Sequence, residues 1–141
     1  MGVTNYGEWL EQVPDYMKQD GLWEMEVYRK ALFLSDLAWS DCEKLLAHPL
    51  GRPLAWQLIR SAGSIPANME EGFGRGFGKD YGRFLKIALG SARESKGWYY
   101  RSRQILQAEV IDHRSHLLVT VIAGLITMSK QQYNHKNHNK T

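Results

Sequence analysis

Lys79, Arg83, Lys86, Arg93 and Arg101 recur at helical spacing along one stretch of the chain. At about 100° per residue they fall within an arc of roughly 80°. Gly90 and Gly97 fall on the same edge. Cations strung along one element are the residue type and spacing that meet successive phosphates. They are equally what a solvated helix face carries. Arg75 stands just upstream, where Gly72, Gly74, Gly76 and Gly78 alternate with Phe73, Arg75 and Phe77. Four glycines in seven residues exclude a helix interior, since each costs about 1 kcal/mol there relative to alanine. A phosphate-cradling loop would need Ser or Thr after Lys79, where Asp80 stands, and a strand before it. The segment reads instead as a turn between two helices.

No other constellation has catalytic spacing. Di-iron bundles use Glu-x-x-His, and no Glu here has a His three residues on. His113 and His116 stand three apart with Asp112 as the only carboxylate close by in sequence. Glu70, Glu71 and Glu94 have Arg60, Arg75 and Arg93 at hand as partners. Cys42 is the only cysteine, and its neighbours Asp41 and Glu43 disfavour a thiolate, so it reads as a small, partly buried residue. His48, at a predicted helix end, reads as a cation near the C-terminal dipole. His135 and His138 belong to a solvated tail. The expectation is a protein without catalysis, metal or cofactor.

The elements that position these residues are helical throughout. The spacing predicts a first long helix over 22–47, from the recurrence of Val27, Ala31, Leu34, Ala38, Cys42 and Leu45. Trp23 and Trp39 add bulk to it. His48 to Pro53 holds two prolines and a glycine and ends it. A second helix starts at Pro53, with an apolar stripe of Leu54, Leu58, Ala62, Ile65 and Met69. Pro66 falls inside that stripe. It predicts either a kink, relieved by Ser61 or Ser64, or the start of a separate short helix. A third helix is predicted over 79–106. Its buried side carries Phe84, Ala88, Ser91, Ala92, Ser95, Tyr99, Ser102 and Leu106, small enough for a close neighbour. A fourth spans 112–131. No strand pattern appears. The expected fold is an all-α, up-down-up-down four-helix bundle over 22–131. A short N-terminal arm (1–21) precedes it, with a helix over 6–13 broken by Pro14. A disordered tail (132–141) follows.

The 141 residues suit one domain with a real core. The net charge of +3 is unevenly spread. Residues 1–51 hold 4 basic and 9 acidic side chains, residues 52–103 hold 10 and 4, and the remainder 4 and 2. An acidic first part against a basic middle favours self-association or an anionic partner. No signal peptide and no apolar run of about 18 residues is read from the sequence, so a cytoplasmic protein without a membrane partner is expected.

Ser64-Ile65-Pro66-Ala67-Asn68-Met69-Glu70-Glu71-Gly72, then Gly78-Lys79-Asp80, Arg83-Phe84 and Ala88-Leu89-Gly90-Ser91-Ala92-Arg93-Glu94, form two motifs. In combination they resemble a four-helix-bundle family. That family includes proteins encoded in large-subunit rRNA intervening sequences and the accessory variability determinant of diversity-generating retroelements. The resemblance covers roughly 23–128 and leaves out the N-terminal arm. It implies a homopentameric barrel with a basic surface. For the retroelement members it implies binding to a reverse transcriptase and to nucleic acid, RNA or DNA. Pro66, Asn68, Glu70, Gly72, Ser91 and Glu94 are the motif positions given a packing role. Arg75, Lys79, Arg83, Lys86, Arg93 and Arg101 are the expected phosphate partners. Two functions remain open. One is a nucleic-acid-binding oligomer whose stripe offers charge and few exposed aromatics. The other is an assembly subunit that docks a protein through apolar patches such as Trp9 and the arm.

Overall fold

The computed structural model describes residues 5–138, and they are all-helical. Two short helices, α1 (Tyr6–Gln12) and α2 (Asp15–Lys18), precede a 3-10 turn at Gly21–Glu24. The four long helices follow: α3 (Glu26–Leu46), α4 (Arg52–Phe73), α5 (Lys79–Arg101) and α6 (Ala108–His138). Helix α4 packs on α3 and α5, α6 packs on α5 and α3, and the four share one apolar core. Leu34, Leu58, Leu85 and Leu118 are fully buried in it, one from each helix. Burying one such side chain stabilises by about 1.5–3 kcal/mol.

Capping explains the boundaries. Asn5 accepts the Glu8 N–H at 3.1 Å and starts α1, and Asp20 accepts that of Leu22 at 3.0 Å and starts the 3-10 turn. His48 accepts the Leu50 N–H on Nδ1 at 3.1 Å and caps the 3-10 turn Pro49–Gly51. The expected role as a cation at a helix end is therefore corrected at that nitrogen, which acts as an acceptor. Helix α5 ends five residues short of the expected position. The Ser102 N–H closes the last turn onto the Trp98 and Tyr99 carbonyls, both at 3.0 Å, and its hydroxyl donates to Trp98 at 2.8 Å.

Pro66 lies inside α4, which runs unbroken through it, so the separate short helix is excluded. The nearby serines serve the α4–α5 contact. Ser95 Oγ donates to Ser61 Oγ and Ser91 Oγ to Ser64 Oγ, each at 2.9 Å. Short side chains meeting at these two levels leave α4 and α5 room to pack closely. At the end of that contact, a Cβ on Gly72 would stand 2.7 Å from the Phe84 Cβ.

A buried charge pair ties three helices together. Asp41 on α3 is 1% exposed and Arg114 on α6 is 6% exposed. Arg114 donates from Nε at 2.8 Å and from Nη2 at 3.1 Å, and the Tyr99 hydroxyl of α5 donates to Asp41 Oδ2 at 2.6 Å. Burial, followed by the Asp41 charge, pushes the Tyr99 phenol well up.

The arm packs on its own chain. Trp9 is buried against Phe33 and Leu37 of α3, and its indole N–H donates to Asp36 at 2.7 Å. Trp9 is thus unavailable as the exposed docking residue expected from the sequence. Helix α6 continues past the expected end at 131, and Tyr133 lies over Gly82. The part of the expected disordered tail that is described is therefore helical. The His135 and His138 side chains and residues 139–141 lie outside the described residues, as do residues 1–4 of the arm. Over Ala108–Asn134, α6 is long and apolar enough to cross a membrane by length and composition. This corrects the expectation that no such run exists. Leu118, Val121 and Leu125 of that run are fully buried in the shared core.

Candidate nucleic-acid interface

Gly78 starts α5. Its φ of 93° is a conformation that side chains disfavour, and its N–H donates to Gln132 of α6 at 2.9 Å. From there α5 buries Tyr81, Leu85, Ala88, Ala92, Ser95 and Tyr99. That face fixes the opposite one, so Lys79, Arg83, Lys86, Arg93 and Arg101 all stand exposed. Among the described residues none of these five is in a salt bridge, whereas Arg60 pairs with Glu94 and Arg75 with Glu71. Arg75, grouped with the phosphate partners from the sequence, already has a carboxylate at 2.8 Å. Both members of that pair are exposed, so an anion competes with Glu71 at little cost.

The cations do have neighbours that sequence reasoning missed. Arg83 lies 4.7 Å and Arg75 5.5 Å from the Phe84 ring centre. Lys86 lies 4.4 Å from Tyr133, Arg101 4.8 Å from Trp98, and Arg103 4.0 Å from Tyr100. Tyr100 is 60% exposed. Of these four rings only Tyr100 is exposed, in keeping with the expectation of few exposed aromatics on the stripe; Phe84, Trp98 and Tyr133 are half-buried. The signal was present as a ring next to a cation at 83–84 and at 98–101. Tyr133 comes from another helix, and no local pattern announces it.

The six motif positions lie along α4 and its contacts. Glu70 accepts from the Tyr28 hydroxyl of α3 at 2.6 Å, and burial, then this bond, raises the Tyr28 phenol pKa. Asn68 donates one turn back to the Ser64 carbonyl at 2.8 Å and to its hydroxyl at 2.9 Å. Glu94 takes Arg60 from α4 and the Trp98 indole N–H at 2.9 Å. Pro66 is buried in α4, while Gly72 and Ser91 hold the α4–α5 approach described above.

The remaining reactive residues are engaged. Cys42 donates to the Ala55 carbonyl at 3.4 Å, and burial, then Asp41, pushes its pKa up to about 12. His113 meets Arg114 through Nδ1 at 2.8 Å, and burial, then Arg114, lowers its pKa. His116 Nδ1 lies 2.8 Å from the Asp112 carbonyl. Among the described residues no three His, Cys, Asp or Glu side chains gather around a common point.

A second surface lies between α3 and α4. Trp39 and Trp56, 65% and 66% exposed, wall an apolar hollow of about 160 Å³ lined by Leu46, Ala55 and Ile59.

An all-helical protein with a cationic face on one long helix is the class these features define. The family model for the 23S rRNA-intervening sequence protein matches residues 23–127. The chain belongs to that family. Comparison with curated proteins returns no match.

Proposed function

We propose that this protein is a non-catalytic accessory factor that contacts nucleic acid, RNA in the first place, along the outer face of α5. The observation that carries the reading is the row of five exposed cations without carboxylate partners among the described residues, in a chain of an rRNA-linked family. The reading includes an up-down-up-down arrangement of α3 to α6, supported by their ring of neighbours and short connections. It also includes a cytoplasmic homo-oligomer, a pentamer as the resemblance implies. The acidic first part and basic middle of the chain support association between copies. The test replaces Arg83, Lys86 and Arg93 together by Glu. Binding of a labelled structured RNA should be lost while the oligomeric mass is kept. Unchanged binding by this variant contradicts the reading.

A second reading rests on Trp39 and Trp56. Two tryptophans this exposed around an apolar hollow are what a protein interface uses as anchors. On this reading the protein is an assembly subunit for a protein partner, a reverse transcriptase being the one the resemblance suggests. Trp39→Ser with Trp56→Ser then abolishes a salt-tolerant association and leaves RNA binding alone.

A further inference from the structure

Resting on the nucleic-acid reading above, we infer that the α5 face takes an unpaired strand, stacking its bases on cation-backed rings, in preference to a duplex. Five cations lie 4.0 to 5.5 Å from a ring centre among the described residues, and all of them fall between Arg75 and Arg103. Two of these contacts involve Phe84, one Trp98 and one Tyr100, and the fifth sets Lys86 over Tyr133 of α6. Arg83 and Arg101 lie 18 residues apart on one helix, about 27 Å at 1.5 Å per residue.

A duplex offers this face only its phosphates, because its bases are already stacked on each other. An unpaired strand offers phosphates and free base faces together. Surfaces that take single strands combine a cationic track with rings on which bases stack, and Arg adds to both. A guanidinium over a ring can itself stack with a base, so the exposed Arg83 and Arg101 extend the stacking surface. Beside Lys86, between α5 and α6, a groove of about 380 Å³ adds a seat lined by Leu89, Ile126, Lys130 and Tyr133. That is the size range in which compact ligand sites begin, about 300 Å³ upward. Its apolar walls suit a base, and the two lysines suit the phosphates on either side.

The test measures anisotropy of a fluorescein-labelled oligouridylate of about 15 nucleotides, within the span such surfaces cover. A blunt RNA duplex of the same length is measured alongside, on the full chain. The strand is expected to bind at least about tenfold more tightly than the duplex. Tyr100→Ala should cost the strand about fivefold or more and the duplex nothing. Tyr100 is exposed, so the fold is not at risk. Arg83→Lys with Arg101→Lys keeps the charge and removes the planar guanidinium groups, and should likewise weaken the strand alone. Equal or tighter duplex binding, or a strand affinity that neither variant lowers, overturns the inference and leaves the nucleic-acid reading standing. No binding of either probe at low salt overturns that reading, and this inference with it.

Discussion

Arg114 of α6 grips Asp41 of α3 at two points, 2.8 Å and 3.1 Å, with both side chains out of water. Removing one partner leaves the other as an uncompensated buried charge, which costs about 3–5 kcal/mol. Arg114→Met and Asp41→Leu should each lower the unfolding free energy read from urea titration by that much. The double variant should recover part of the loss, since an apolar pair needs no charge partner. It should fall short of full recovery by about 1–3 kcal/mol, because the buried Tyr99 hydroxyl loses its acceptor. Additive losses in the double variant contradict the coupling.

Cys42 gives a pH signature. Its thiol is pushed up to about 12 when folded, against an ordinary value of 9.0. Folding therefore favours the protonated form. Below about pH 9 the thiol is neutral in both states and stability does not depend on it. Between about pH 9 and 12 the unfolded chain ionises and the folded one does not, so stability falls as pH rises. Cys42→Ala should make that part of the curve shallower, leaving the fall that the raised Tyr28 and Tyr99 phenols give above about pH 10. At pH 8 a thiol reagent should modify the native protein far more slowly than the protein in urea.

Gly72 tests the close approach that sets α5 on α4. A methyl group there would lie 2.7 Å from the Phe84 Cβ. Gly72→Ala should destabilise by about 1–3 kcal/mol in chemical unfolding. Gly90→Ala, whose Cβ would meet nothing within 4 Å, should be neutral or slightly stabilising. Equal effects at the two positions would show that the approach is not tight.

What was legible in the sequence was what repeats locally. The period of about 3.6 that buries Leu85, Ala88, Ala92 and Tyr99 also sends Arg83, Lys86 and Arg93 outward, so the cationic face could be read before the fold. Arg60, Arg75 and Arg93 were legible as partners at hand for Glu70, Glu71 and Glu94. Arg75 takes Glu71 four residues away and Arg60 takes Glu94 from another helix, while among the described residues Arg93 takes neither. The Asp41–Arg114 pair was not legible. Its members stand 73 residues apart, and each sits in its own helix like an ordinary surface charge. The tryptophans misled in both directions. Trp9 looked like an arm residue and is core, whereas Trp39 looked like bulk in a core helix and is exposed. Hydrophobic type says that a ring prefers cover but not which element covers it. The end of α5 was misread because the hydroxyl and N–H that close its last turn belong to one serine with no distinctive local pattern.

The cationic face also makes a quantitative claim. If Lys79, Arg83, Lys86, Arg93 and Arg101 each meet a phosphate, they release counterions on binding. The logarithm of the binding constant then falls with the logarithm of salt, with a slope of about 0.7–0.9 per phosphate. Charge reversal at three of the five should remove more than half of that slope even where weak binding survives.

The most direct measurement is the affinity for a labelled structured RNA across a salt series, on protein whose oligomeric mass has been determined. A slope of several units, up to about 4 per chain, with micromolar or tighter binding at low salt, is the predicted result. No binding at low salt, or binding that salt leaves unchanged, would contradict the claim that α5 is a phosphate-contacting surface.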